Sequence, residues 1–306
     1  MMKILKLFKC GIRYIFNSEY RFKKNASFRF LDNMSDEEFL KKMYRYCLKK
    51  DLNLNDPQTF NEKLQWLKLY DRKPIYTTMV DKYEVKKYVA DIIGEEYIIP
   101  TLGVWDKFED INFDSLPEQF VLKCTHDSGG LVICKDKSKL DMDSTRKRVN
   151  KFLKREYYWK WREWPYKDVK PRIIVEKYMQ DRANAVLPVF KFFCFNGKPK
   201  IIQTIQNDKQ KNESIDYFDT EWNLLELRQN FPNSEKPFEK PEKLSEMLTL
   251  AETLAKDSSP FIRVDFYEIN GMVYFSEFTF YSDAGLAKFE PEEWDRILGS
   301  WIQLPV

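Results

Sequence analysis

The stretch from Arg263 to Tyr281 constrains this chain more than any other. Two arms rich in aromatic and β-branched residues flank Asn270-Gly271, the composition of a β-hairpin. Within it, Asp265 and Glu277 each lie among hydrophobic neighbours. A carboxylate on an otherwise buried strand must be paired, neutral or bound to a cation. Turn length decides whether the two can cooperate. A two-residue turn pairs Ile269 with Met272 and Asp265 with Ser276, and sends Asp265 and Glu277 to opposite faces. A three-residue loop, with Gly271 left-handed, pairs Asp265 with Phe275 and brings Glu277 diagonally onto the same face. Two carboxylates on one face suit a divalent cation that prefers oxygen, above all Mg²⁺ carrying a nucleotide's phosphates. The plain alternative is a pair of surface acids on an edge hairpin. A shared metal is therefore tied, at this level, to the three-residue loop.

Composition bounds what surrounds the hairpin. With 306 residues, 43% of them hydrophobic, the chain can bury a sizeable core and divide into two subdomains. A net charge of +3 is too small to mark a polyanion binder. The five cysteines form no C-x-x-C pair, so free thiols in a reducing compartment are expected. His126 is the one histidine, which excludes a His-rich zinc site. No apolar run reaches membrane-spanning length. Residues 1–16 alternate Lys3, Lys6, Lys9 and Arg13 with Ile4, Leu5, Phe8, Ile12, Ile15 and Phe16. That is an apolar helical stripe beside a basic face, fit either for an acidic membrane surface or for docking on its own domain.

In chain order, residues 17–50 read as charged helices, with Ser35 as an N-cap and Glu38 three residues on. A further helix follows Thr59 or Asn61, with Leu64, Leu67 and Leu69 in the core. Asp81-Lys82 opens another, running to about Ile93 and stopped by Gly94. Residues 97–104 and 120–124 are strand candidates. Lys123 precedes a small polar loop, Thr125-His126-Asp127-Ser128-Gly129-Gly130, before a strand at 131–134. Such a loop can fold over phosphates with its backbone N–H groups while the lysine supplies charge. It lacks the Gly-Lys-Ser/Thr of a Walker A loop. Residues 154–166 interleave basic and aromatic side chains, a pattern that suits single-stranded nucleic acid, sugar stacking or packing. Without a basic domain around it, nucleic acid is not the expected partner. A strand at 170–179 ends in Glu176-Lys177-Tyr178-Met179. A second hairpin turns at Asn196-Gly197, a strand and turn cover 216–223, and helices are expected at 244–255 and 292–302.

Together these pieces resemble an ATP-grasp protein. The resemblance rests on Asp81-Lys82, on Lys123 with its loop, on Glu176-Lys177-Tyr178-Met179 and on the Asp265/Glu277 hairpin, in that order. More narrowly, the chain resembles the TupA-like ATP-grasp family of cell-surface polysaccharide biosynthesis. Asp56-Pro57-Gln58-Thr59-Phe60-Asn61-Glu62-Lys63-Leu64-Gln65-Trp66-Leu67, Arg162-Glu163-Trp164 with Tyr166, Lys191-Phe192-Phe193-Cys194-Phe195-Asn196-Gly197-Lys198-Pro199 and Glu277-Phe278-Thr279-Phe280-Tyr281 carry it. Thr279 stands where ATP-grasp enzymes have a metal-binding Asn, and Val189 where this family often has Asp.

The resemblance implies an α+β, ATP-grasp fold: two α+β subdomains clasping a nucleotide after a helical N-terminal region. The expected divisions are 1–75, 76–180 and 181–306. It implies ATP and Mg²⁺ as cofactors. Lys82, Lys123 and Lys191 would meet phosphates, and His126, Ser128, Gly129 and Gly130 would cover them. Glu176, Lys177, Tyr178 and Met179 would hold adenine. Asp265, Glu277 and Thr279 would hold the metal, and Arg263 and Lys191 would act on the transferred group. The implied reaction joins a saccharide carboxylate to an amine through an acylphosphate, in the cytoplasm or at the inner face of the membrane. Two rival readings remain at this level. Asp141-Met142-Asp143 could be a glycosyltransferase metal site, and residues 154–166 could serve a non-catalytic glycan-binding module.

Overall fold

The computed structural model describes residues 11–183, 186–208 and 210–305. Most of the basic N-terminal stripe therefore lies outside the described residues. Residues 11–16 are helical, with Ile12, Ile15 and Phe16 exposed. Helices α1 (Ser18–Ser27) and α2 (Asp36–Leu48) follow. The Ser35 side chain caps α2 by accepting from the Glu38 N–H at 3.2 Å. Helix α3 (Phe60–Tyr70) opens with a full capping box between Thr59 and Glu62. Leu64 and Leu67 are buried, and Leu69 is half-buried against the α1–α2 cluster. After α4 (Ile75–Val80) comes α5 (Glu84–Ile93), which ends at Gly94 with φ 114°. Asp81 does not lie in α5 but caps it, accepting from the N–H groups of Tyr83 and Glu84.

Two antiparallel sheets follow. The first orders its strands β1-β4-β2-β3, from β1 (Thr101–Trp105), β2 (Phe120–Cys124), β3 (Leu131–Cys134) and β4 (Ile173–Lys177). Strand β1 begins later than the sequence pattern implied, because residues 95–97 form a helical turn. Helices α6 (Met142–Leu153) and α7 (Tyr157–Trp161) connect β3 to β4. Strand β2 alternates cleanly: Phe120, Leu122 and Cys124 face a core with Val149 and Phe108, which leaves Lys123 on the other face.

The second sheet orders β10-β9-β5-β6-β7, from β5 (Val189–Phe195), β6 (Lys198–Gln206), β7 (Ser214–Phe218), β9 (Phe261–Ile269) and β10 (Met272–Thr279). A short β8 (Arg228–Gln229) pairs with β11 (Phe289–Glu290). Helix α8 (Leu244–Ala255) covers one face and shares its core with Phe192, Val264 and Phe266. The opposite face is divided between two uses. At one end Phe60 of α3 packs on Phe195 and Phe261. At the other end the same face carries charged side chains. Helix α9 (Glu293–Trp301) closes the fold against α3. A parallel bridge between Ile98 and Phe275 ties the first sheet's approach to the second sheet's edge.

Candidate nucleotide and metal site

The hairpin does not use the loop that a shared metal was tied to. Asn270 and Gly271 both have positive φ, 51° and 77°, and Ile269 pairs with Met272. That is a two-residue turn of the primed type, whose twist matches its strands. The acids nonetheless share a face. The register shifts between Phe275 and Glu277, leaving Ser276 as the extra residue of a β-bulge. Glu277 then pairs directly with Asp265, and Thr279 with Arg263. The one-residue offset is made in the strand and not in the turn.

Next door on β5, Lys191 pairs with Asp265. Five polar side chains therefore project from one face of three adjacent strands: Lys191, Arg263, Asp265, Glu277 and Thr279. Asp265 is 1% exposed and accepts two bonds from the Arg263 guanidinium, both 2.7 Å. Lys191 Nζ lies 3.5 Å from Asp265 Oδ2, and Arg263 Nη2 lies 3.6 Å from Glu277 Oε1. From the other half of the molecule, Lys82 Nζ comes to 4.0 Å from Glu277 Oε2. The packed surroundings of Glu277 oppose its ionisation. Lys82, Lys191, Arg263 and Lys123 outweigh that and hold its carboxyl below the usual range. Its side chain is still 44% exposed. Four cations thus converge on one solvent-reachable carboxylate.

Lys123 belongs to a second knot. Val121 pairs with Glu176, so Lys123, two residues on, is Glu176's diagonal neighbour. Its Nζ lies 2.6 Å from Glu176 Oε2, and Lys86 Nζ lies 2.6 Å from Oε1. Burial alone would raise the Glu176 carboxyl, but Lys123 and Lys86 pull it down to about 2. Desolvation depresses Lys86 despite its partner. Burial also opposes the charge of Lys123, but Glu176 prevails and raises it. Sequence reasoning missed Lys86. Its spacing of four from Lys82 was the signal available, since such residues share a helical face.

The loop at 125–130 is held as a shaped turn. Thr125 is buried, accepting from the Arg172 N–H and donating to the Lys170 carbonyl. His126 is also buried, with Nε2 2.9 Å from the Arg155 carbonyl, and burial lowers its pKa below the ordinary value. It is a neutral strut of the loop. Asp127 pairs with Arg155 at 2.7 Å. Ser128 and Gly129 are exposed. A side chain at Gly130 would meet the Asp127 carboxylate at 2.4 Å and the Phe152 side chain at 3.0 Å, so the turn is closely packed there. At the end of β4, Lys177 is exposed and its N–H donates to the Pro100 carbonyl, while Tyr178 and Met179 beyond it are half-buried. Lys177 and Tyr178 border an open hollow with Leu102, Gln119 and Lys135.

Both rival signals have structural explanations. Asp141 is the N-cap of α6, accepting from the Ser144 N–H at 2.9 Å, and Asp143 pairs with Arg146 on the surface. In the basic-aromatic stretch, Arg162 is buried under the rings of Phe39, Tyr158 and Trp159 and donates to the carbonyls of Leu31 and Met34. Through Arg162 the stretch ties the N-terminal helices to the body.

Oxygen donors at Asp265 and Glu277, with the Thr279 hydroxyl beside them, fit Mg²⁺, which takes one or two carboxylates and completes its shell with phosphate and water. Among the described residues no group of three or more His, Cys, Asp or Glu gathers as a richer metal cage.

The sequence pattern described as TupA-like ATPgrasp matches residues 62–303. The chain belongs to the TupA-like ATPgrasp family. Membership carries the ATP-grasp fold. No curated protein matches this TupA-like chain significantly. Solved structures do. D-alanine–D-alanine ligase from Bacillus anthracis complexed with ATP is 22% identical, with a TM-score of 0.39 over 66% of this chain and 53% of that one. The Helicobacter pylori enzyme of the same name is 14% identical, with a TM-score of 0.46 over 81% and 67%. N5-carboxyaminoimidazole synthetase from Staphylococcus aureus complexed with ADP is 13% identical, with a TM-score of 0.45 over 89% and 65%. The TupA-like chain spans little more than half the length of the first of these.

Proposed function

We propose that the protein is an ATP- and Mg²⁺-dependent carboxylate–amine ligase working through an acylphosphate. The convergence of Lys82, Lys123, Lys191 and Arg263 on Glu277 carries this reading. With Lys86, five cations face Asp265, Glu277 and Glu176, and a triphosphate is complementary to that positive surplus. In this reading the two sheets are the halves that close on the nucleotide. Lys82, Lys123 and Lys191 hold phosphates as point charges, and the N–H groups of 128–130 cap them. Adenine lies along Glu176, Lys177, Tyr178 and Met179, with Glu176 fixed in place by Lys86 and Lys123. Asp265, Glu277 and Thr279 hold Mg²⁺, which when bound would neutralise charge on the transferred phosphoryl. Arg263 moves from Asp265 toward the substrate carboxylate and the transferred group. Lys191 steadies the same charge from β5. Positioning then does most of the rest.

The substrates we propose are a uronic acid of a surface polysaccharide or its precursor, and an amino compound. We place the reaction in the cytoplasm, at the inner face of the membrane. No helix of the described residues is long and apolar enough to cross a bilayer. Ile12, Ile15 and Phe16 are exposed, Phe16 at 83%, beside Arg13 and Arg21. That fits shallow insertion into an anionic surface. Sedimentation with phosphatidylglycerol vesicles should carry the protein down, and Phe16→Asp should reduce that severalfold. Equal sedimentation of the two proteins would remove the membrane assignment.

The decisive experiment is thermal unfolding with millimolar ADP, with and without Mg²⁺. A rise of several degrees that needs both is expected, since saturation a hundredfold over Kd is worth about 3 kcal/mol. No shift at millimolar ADP would overturn the nucleotide reading.

A further inference from the structure

Helix α6 carries more positive charge than its surroundings answer. Arg146, Lys147, Asn150, Lys151 and Lys154 line one open hollow of about 410 Å³ on its solvent side. The four cations are exposed, and Asn150 is half-buried. Asp143 is the one acid within the helix, and Arg146 takes it at 2.6 Å. Among the described residues, no hydrogen bond or ion pair engages the ammonium groups of Lys147, Lys151 or Lys154. On α2 the same residue type is answered: Lys41 and Lys42 each reach a glutamate four residues back, at 2.6 and 2.7 Å.

This pattern is unfavourable in a helix. Lys147 and Lys151 are four residues apart and Lys151 and Lys154 three, so like charges stand over one another on one face. The helix dipole favours cations in the last turn, which accounts for Lys151, but it does not reach Arg146 and Lys147 in mid-helix. Thr145 and Val149 turn inward, and Val149 joins the core under β2. An adjacent face grips the loop at 125–130 and the strand after it. Arg148 Nη2 donates to the Leu131 carbonyl at 3.3 Å, and Arg155, just past the helix, pairs with Asp127 at 2.7 Å. The hollow and that loop therefore lie on adjoining sides of a cylinder about 10–12 Å across.

Resting on the ligase reading and its saccharide carboxylate, we infer that the hollow binds the anionic glycan chain that carries that carboxylate, at repeats beside the one that reacts. Three unpaired ammonium groups spread over about 10 Å of helix meet a chain that bears carboxylates at intervals, and as point charges they demand no single geometry of it. The Asn150 amide offers donors and an acceptor for sugar hydroxyls between the charges. The lining disfavours other large anions. It has no aromatic ring on which a nucleobase could stack, and no apolar side chain to enter a bilayer. A chain held here keeps its reacting carboxylate near the cleft, which raises that group's effective concentration without a new contact at the metal.

The test uses fluorescently labelled polygalacturonate, a polyuronate, at constant ionic strength, with dextran as the neutral control. Wild type should bind polygalacturonate saturably, more weakly as salt rises, and leave dextran free. Lys147→Gln, Lys151→Gln and Lys154→Gln together should weaken binding about tenfold or more. Lys41→Gln, Lys42→Gln and Lys87→Gln remove the same charge from exposed helix positions elsewhere and should leave it within about twofold. Both triple variants should unfold cooperatively near the wild-type midpoint and keep its Mg·ADP shift, which shows that they fold. Equal weakening in the two variants, or no saturable binding by a wild type that still shifts with Mg·ADP, overturns the glycan site and leaves the nucleotide reading standing. Oligo(dT) or phosphatidylglycerol vesicles bound as tightly as polygalacturonate, with the same dependence on the three lysines, would overturn the glycan assignment in favour of that anion. Loss of the Mg·ADP shift in wild type, with lysine-dependent polygalacturonate binding intact, overturns the nucleotide reading and leaves the hollow as a binding site.

Discussion

Asp265→Asn should abolish the Mg²⁺-dependent part of ADP stabilisation and lower ATP turnover roughly a hundred- to a thousandfold. Asparagine keeps one acceptor for Arg263 and removes the charge that a cation needs. Alanine is the poorer test. Arg263 is 10% exposed and bonded twice to Asp265, so removing the whole side chain leaves a buried guanidinium without its partner. That costs about 3–5 kcal/mol and confuses unfolding with lost binding. The measurement is the melting temperature in ADP with Mg²⁺ or EDTA. If Asp265→Asn keeps the wild-type dependence on Mg²⁺, the hairpin is not the metal site.

Glu176→Gln should be the most destabilising single-atom change in the first sheet. The folded Glu176 carboxyl sits at about 2 against an ordinary value of 4.5. A lowered carboxyl contributes stability that is full above the unfolded value and lost as pH falls toward the folded one. The difference corresponds to about 3 kcal/mol, present at pH 7 and lost between about pH 4.5 and 2. Glutamine forfeits it at every pH and leaves Lys86 and Lys123 facing an amide. Urea midpoints from pH 7 down to pH 3 should therefore converge for the two proteins. Parallel profiles would show that the lysines do not depend on this charge. ADP affinity should fall together with stability, because the same side chain fixes the strand end proposed for adenine.

Much of this architecture was legible in the residues. Ser35, Thr59 and Gly94 marked helix ends because caps are local chemistry, readable within four residues. Lys123 and Asp265 stood out because a charge in a run of apolar strand residues has few innocent explanations. The hairpin turn was misread. Asn-Gly is a strong two-residue turn signal, yet the shared face seemed to demand a third residue. The offset lay instead at Ser276, and a bulge of this kind leaves no mark in composition. Lys86 was passed over for a different reason. It looked like a solvated helix position. Its role depends on a partner 90 residues away, Glu176. Only the fold brings the two together.

Asp283, Ala284 and Gly285 form a turn that is left-handed at every residue, with φ of 47°, 56° and 63°. Gln65 and Lys68 hold its carbonyls, so this strained turn draws its support from α3. Thermodynamic reciprocity then applies: whatever ligand prefers the tensed turn must also favour the folded helix, by the same factor. The Thr59–Glu62 capping box, far from that turn in sequence, is thereby tied to it through one helix.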